Sequence, residues 1–245
     1  LTTLFMKTIF SLVIGLSSLC MFAQKTIDFP SKDGLQITAD YYETKGSETF
    51  ILLFHQAGWS RGEYKEIAPK LNALGYSCLA IDQRSGGAVN SITNQTNQRA
   101  VEAGKETKYL DAFQDIEATV AYVKKTYNPK KVIIWGSSYS SSLVLKYAGD
   151  YPDTIDAALA FSPGEYFGKD DFIKNSAANI NVPTFITSAQ NEQDNWAALN
   201  DAIPTTTKVT YVPATKGNHG SRALWEKFDD NDGYWKAVKN FLKQI

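Results

Sequence analysis

The chain has 245 residues, 43% hydrophobic, 13% aromatic and 21% charged, which is enough apolar material for a substantial core and too much for a disordered chain. Lysine plus arginine total 25 against 26 acids, a formal net charge of −1, which removes the electrostatic case for nucleic acid or an anionic membrane surface as the main partner. A length of this order suits one α/β unit, expected here over residues 24–245.

The first segment, 1–23, reads as an export signal. Lys7 is followed by an uncharged, mostly apolar run from Thr8 to Ala23, with a hydrophobic centre at 9–16 and small or polar residues after it. Met6 is the expected start and Ala23 the last residue before the cut, so the mature protein is expected in the periplasm or the medium. The run is shorter than the roughly 20 apolar residues that span a bilayer comfortably, and it contains Gly15, Ser17 and Ser18, so no integral membrane span is expected after cleavage. Leu19 stands directly before Cys20, where a lipid-attachment site has a small residue, and this argues against an anchor there. Removal of 1–23 leaves Cys78 alone, so no intramolecular disulfide can form although an oxidising destination would permit one.

Beyond residue 24 the pattern alternates between short apolar runs and longer amphipathic segments, which predicts a sheet with helices on both faces. A hairpin is expected first, Thr26–Phe29 with Leu35–Tyr42, turned at Asp33-Gly34. Runs at 50–54, 78–81, 132–135, 157–161, 184–186 and 209–212 lack strict alternation, as strands covered on both faces do, and should form a mostly parallel sheet. Helices are expected at 64–74, 109–127, 138–148, 195–202 and 234–242. In the second, Leu110, Phe113, Ile116, Val120 and Val123 make one stripe, while Lys108, Asp111, Asp115, Glu117 and Lys124 are left to water. Residues 85–108 show no strong period and are long for a connection, so they are either mobile or placed over a site.

Chemistry concentrates where the 132–135 run enters Gly136-Ser137-Ser138-Tyr139-Ser140 and a helical pattern follows. A nucleophile on a strand-to-helix turn needs small residues two before and two after it, and Gly136 and Ser140 satisfy this around Ser138. By itself G-x-S-x-S also describes an ordinary helix N-cap. A base, a carboxylate to orient it and N–H donors for an oxyanion would give the serine a role. His219 lies in a loop after the last expected strand, and Glu192 and Asp194 follow the strand near 184–186, so the order is Ser, acid, His, each just past a strand. A surface histidine and solvated loop acids are the alternatives. The longer side chain favours Glu192 over Asp194 across a short turn, leaving Asp194 to cap the following helix. His55 directly follows the 50–54 strand, where its side chain is expected to bond to backbone.

Together these motifs resemble the α/β-hydrolase superfamily, particularly its small dienelactone-hydrolase-like and esterase-like members. The resemblance rests on His55-Gln56-Ala57-Gly58, Asp82-Gln83-Arg84-Ser85-Gly86-Gly87, the 136–140 turn, Glu192 and Asn218-His219-Gly220. It implies an α/β-hydrolase fold without a large cap, a triad of Ser138, His219 and Glu192, oxyanion donors from the N–H groups of Ala57 and Tyr139, and a structural Asp82. Dienelactone hydrolases carry cysteine where this chain has Ser138, and Cys78, inside a strand expected to be buried, is expected to be a core residue. The segment 164–180, with Tyr166, Phe167 and Phe172, is expected to form a small wall at most.

No metal or organic cofactor is implied. The two histidines have no metal-spaced partner, Asp229-Asp230-Asn231-Asp232-Gly233 does not fit a calcium loop, and no phosphate-binding glycine motif occurs. The function expected is an exported serine hydrolase acting on small-molecule carboxylic esters. The alternatives are a peptidase or amidase with the same triad, and a non-catalytic binding protein on the same scaffold.

Overall fold

The computed structural model describes residues 24–245, so the expected signal segment 1–23 lies outside the described residues. Strands β1 (Gln24–Pro30) and β2 (Gln36–Tyr42) form the expected antiparallel hairpin. Its turn is closed by Gly34 N–H donating to the Ser31 carbonyl at 3.0 Å, and Gly34 adopts a φ of 82° that a side chain would resist. The sheet continues through β3 (Thr49–Phe54), β4 (Ser77–Ile81), β7 (Lys131–Ser137), β8 (Ala157–Phe161), β9 (Thr184–Thr187) and β10 (Lys208–Tyr211). Their spatial order is β1-β2-β4-β3-β7-β8-β9-β10, and every pairing from β4 to β10 is parallel.

Helices cover both faces. On one side α1 (Ile67–Ala73) and α7 (Asn231–Leu242) pack Ile67, Leu71, Val238 and Phe241 against Ile51 and Leu53. On the other, α3 (Phe113–Tyr127), α4 (Tyr139–Asp150), α5 (Phe172–Ala177) and α6 (Gln193–Ala202) pack Ile116, Val120, Leu143, Ile173 and Leu199 against Leu52 and Phe54. Alternate residues of β3 therefore serve opposite cores, which is why its sequence shows an unbroken apolar run. The fold is the mostly parallel α/β arrangement that the motifs imply.

Several elements differ in detail: the expected 109–127 helix opens with a 3₁₀ turn and becomes α-helical at Phe113, α6 and α7 begin earlier than expected, and α5 is not among the expected helices. The helix expected over 64–74 begins at Ile67, because Pro69 lacks the N–H that would bond the Lys65 carbonyl. Residues Arg61–Tyr64 form a separate 3₁₀ turn, pinned by the buried Tyr64 hydroxyl donating to the Phe54 carbonyl at 2.7 Å. The segment 85–108 is ordered: it holds a hairpin of β5 (Ala88–Val89) and β6 (Ile92–Thr93), then α2 (Gln95–Glu102), capped by Asn94 accepting the Asn97 N–H at 2.7 Å. Helix α2 buries only Thr96 and Ala100, too little apolar surface to mark it in the sequence.

Asp115 is the main correction. It is buried completely, because Arg84, itself 2% exposed, reaches it through Nη2 at 2.8 Å and Nε at 3.1 Å. Asp115 also accepts the Arg84 backbone N–H and the Ser31 hydroxyl, and Arg84 extends to Asp33 at the hairpin turn. A second buried cluster joins Arg61 to Asp82 at 2.6 Å and to Asp40 at 3.1 Å. These clusters lock the β1–β2 hairpin and the loop after β4 to the body of the fold. No helix among the described residues is long and apolar enough to cross a membrane.

Removing one member of a buried, multiply bonded ion cluster leaves the other charge without its partner. Asp115→Ala should therefore lower unfolding free energy by about 3–5 kcal/mol, read from the midpoint of urea denaturation. A shift below about 1 kcal/mol would show that Asp33 and water replace Asp115 on Arg84.

Candidate active site

In a parallel sheet the carboxyl ends of the strands gather along one edge, and ligand sites form there. Ser138 follows β7, Ser162 follows β8, Glu192 follows β9, His219 follows β10 and Ala57 follows β3.

Ser138 sits at φ 58°, ψ −125°, a conformation that side chains rarely occupy. Three bonds hold it: its N–H donates to the Phe161 carbonyl at 2.7 Å, and its carbonyl accepts the N–H groups of Ser141 at 2.9 Å and Ser142 at 3.3 Å. The turn requires Gly136, since a Cβ there would lie 2.4 Å from the Ser140 carbonyl oxygen. Ser140, in the position usually taken by glycine, uses its side chain. Its Oγ lies 2.5 Å from the His55 carbonyl and 2.7 Å from Gln83 Oε1, tying α4 to the loops after β3 and β4.

The structure brings Ser138, His219 and Glu192 together. His219 Nε2 lies 2.8 Å from Ser138 Oγ, and His219 Nδ1 lies 2.6 Å from Glu192 Oε1. The carboxylate sets the tautomer: Nδ1 carries the proton and Nε2 accepts from the serine. Burial would raise the Glu192 pKa, but bonds from His219, from Ser162 Oγ at 2.7 Å and from the Ala189 N–H at 3.2 Å outweigh it and hold the carboxyl below its usual range. Asp194 takes no part in this contact. It is exposed in the first turn of α6 and makes no capping bond, a second correction, because Glu192 occupies the cap position.

Ala57 is half-buried in the turn after β3, and Tyr139 is the first residue of α4, where backbone N–H groups have no partner within the helix. Among the described residues neither N–H donates to a protein acceptor. His55 itself is fully buried and structural. Nδ1 lies 2.8 Å from the Gln56 carbonyl and Nε2 accepts the Gln83 N–H at 3.0 Å, while burial pushes its pKa down to about 4, so it is neutral. Asp82 accepts from the N–H groups of Arg61 and Gln95, both at 2.8 Å, and orders the loops beside the site. Tyr166 donates its hydroxyl to the Ser162 carbonyl at 2.8 Å, and Phe167 meets Phe172 edge-on, forming the short wall. No group of three His, Cys, Asp or Glu side chains that could hold a metal occurs among the described residues.

Two groups near the site were not legible in the motifs. Ser162 donates to Glu192 and accepts the Gly220 N–H at 2.9 Å. Its position directly after a parallel strand was the available signal. Glu63 is fully buried beneath the site, yet it lies in a polar turn whose composition reads as surface.

Residues 46–171, half of the chain, match the family model described as Serine aminopeptidase, S33. A protein of Aquifex aeolicus (strain VF5), named as a candidate carboxymethylenebutenolidase, is 27% identical over 169 residues, covering 66% of this chain and 69% of that protein. An esterase of Pyrococcus furiosus superposes with a TM-score of 0.69 at 19% identity, covering 91% of this chain and 93% of its own. A dienelactone hydrolase of Anabaena variabilis gives 0.71 at 13% identity, covering 91% and 98%. At these identities the two structures speak for the fold.

Cys78 lies in β4, fully buried, and desolvation pushes its thiol pKa far up. Iodoacetamide should leave Cys78 unmodified in the native protein and label it after denaturation, read by peptide mass mapping. Rapid native labelling would remove it from the core.

Proposed function

The chain belongs to the serine aminopeptidase S33 family of α/β-hydrolases and is a hydrolase, and we propose that it cleaves carboxylic esters through an acyl-enzyme formed on Ser138. The observation that carries this reading is the continuous path from Ser138 Oγ through the His219 ring to Glu192, at 2.8 Å and 2.6 Å. Ser138 Oγ attacks the acyl carbon while its proton passes to His219 Nε2. The carbonyl oxygen becomes an oxyanion held by the N–H groups of Ala57 and Tyr139, the latter at the positive end of α4. Collapse breaks the bond to the alcohol, which leaves with the proton from His219. Water then attacks the acyl-serine, giving its proton to His219, and the acid departs as Ser138 is restored. Glu192, kept anionic, orients the ring and stabilises the imidazolium.

The family description favours amide substrates as a second reading. Turnover of chromogenic acetyl and butyryl esters beside matched amides separates the two. The short wall, with no large cap among the described residues, supports a preference for short acyl chains, since little apolar surface is available to bury a long one. Ser138→Ala should lower ester turnover by about 10⁶ with the fold retained. Glu192→Gln should lower it by up to about 10⁴, and Asp194→Asn should change it little. Near wild-type turnover in Ser138→Ala, measured on the same esters, would end this reading.

The reading includes export, supported by Lys7 and the apolar run from Thr8 to Ala23. N-terminal sequencing of protein recovered from outside the cytoplasm should begin at Gln24. Recovery of the intact chain in the cytoplasm would count against it.

A further inference from the structure

The loop that carries His219 is suspended from two hydroxyl groups. Gly220 N–H donates to Ser162 Oγ at 2.9 Å, and Ser162 donates onward to Glu192 at 2.7 Å. Ser221 N–H donates to Ser137 Oγ at 2.8 Å, and Ser137 donates onward to Glu63 Oε1 at 2.6 Å. The two relays have the same form, backbone N–H to hydroxyl to carboxylate. The first ends on the proposed triad acid. The second ends on Glu63, whose other oxygen accepts the Gln56 N–H at 2.7 Å, immediately before Ala57.

One fully buried carboxylate therefore joins the oxyanion turn, the nucleophile strand and the histidine loop. Such a group is a poor choice for stability alone, because an apolar or neutral residue of similar volume avoids the desolvation penalty. Burial pushes the Glu63 pKa up to about 7, against the bonds from Ser137 and Gln56 and the fields of His219 and Arg222. These two side chains face it from the histidine loop, and Tyr64 adjoins it on its own turn. The close approach also requires Gly220 at φ 70°: a Cβ there would stand 2.4 Å from Ser137 Oγ and 2.8 Å from Gln56 Oε1.

We propose, on the basis of the triad reading above, that Glu63 is a positioning residue for the reaction, holding the Gln56-Ala57 turn, Ser137 and Ser221 in one register so that the oxyanion donors and His219 meet the substrate together. Both bonds run toward Glu63, so this arrangement uses the ionised carboxylate. Its negative charge also favours the imidazolium that His219 becomes on taking the serine proton.

The test compares Glu63→Gln, Ser137→Ala and their double variant with wild type and Ser138→Ala on a butyryl ester. Competent sites are counted by fluorophosphonate labelling, and Tm is measured from pH 5 to 8. Glu63→Gln should lose about 10–100-fold in kcat per competent site with KM within about twofold, since misplacement by a fraction of an ångström acts on the transition state. Ser137→Ala should fall in the same direction, and the double variant should add little to the larger single loss. Stability gives an independent sign. The Glu63 pKa is raised from 4.5 to about 7 on folding, so the folded state holds its proton more tightly and wild type sheds stability as pH rises through that window. The Tm of Glu63→Gln relative to wild type should therefore climb from pH 5 to pH 8. Wild-type kcat in Glu63→Gln beside an inactive Ser138→Ala would overturn the proposal and leave the triad standing. A lower Tm at every pH, with full activity per competent site, would reduce Glu63 to a structural role and also overturn it. Should Glu63→Gln fail to fold, wild-type kcat in Ser137→Ala would have the same force. An active Ser138→Ala would bring down the triad reading and this proposal with it.

Discussion

The site depends on the backbone of one residue. A non-glycine residue held in a sparsely populated φ/ψ region costs on the order of 1–3 kcal/mol, and Ser138 persists there because its neighbours leave it no alternative. Its N–H is committed to β8, its carbonyl starts α4, and Gly136 lets the Ser140 backbone pass within reach of the strand. The strain puts the hydroxyl at the sheet edge instead of inside a helix or a strand. Strand β7 lies between β3 and β8 in the sheet, so both neighbours resist relaxation of the turn.

Around that point the protein spends hydroxyl groups freely. Ser137, Ser140, Ser141, Ser142 and Ser162 are all buried, and each finds a partner. A hydroxyl donates once and accepts twice, so it can join an N–H to a carboxylate without adding charge or bulk. This lets three loops from distant parts of the chain meet closely, with burial of carboxylates offset by directed bonds. It also explains why serine stands where glycine is usual at position 140: the space is filled by a side chain that reaches the His55 carbonyl.

The strands were legible because a sheet buried on both faces leaves contiguous apolar runs, and 157–161 matches its observed bounds. Ser138, Glu192 and His219 were legible because each lies in the turn or loop that follows such a run, at one end of the sheet. Asp115 was not. It shares the helical phase of solvent-facing acids, and only the arrival of Arg84 from another segment makes its burial tolerable. Glu63 was hidden for the same reason, since its partners Ser137 and Gln56 lie 74 and 7 residues away and its own turn is polar. Helix α2 buries too little apolar surface to produce a period, being held by Asn94, Asp82 and Thr38 instead. Periodicity reports apolar burial; polar groups buried by long-range pairing leave no local trace.

The hydrogen bond between Ser138 and His219 spans 81 residues of chain, and the histidine loop rests on Ser137 and Ser162 while Tyr234, in the last helix, accepts the Asn218 N–H at 3.4 Å and donates to the Ser188 carbonyl at 3.0 Å. A nascent chain emerging from the ribosome therefore presents Ser138 long before His219, and the loop that carries His219 has its full set of contacts only when α7 is in place. Premature termination anywhere before α7 would remove the Tyr234 contacts that tie the His219 loop to the Ser188 carbonyl. The Ser138–His219 contact therefore draws on elements from β7 through α7 and is complete only when all of them are in place.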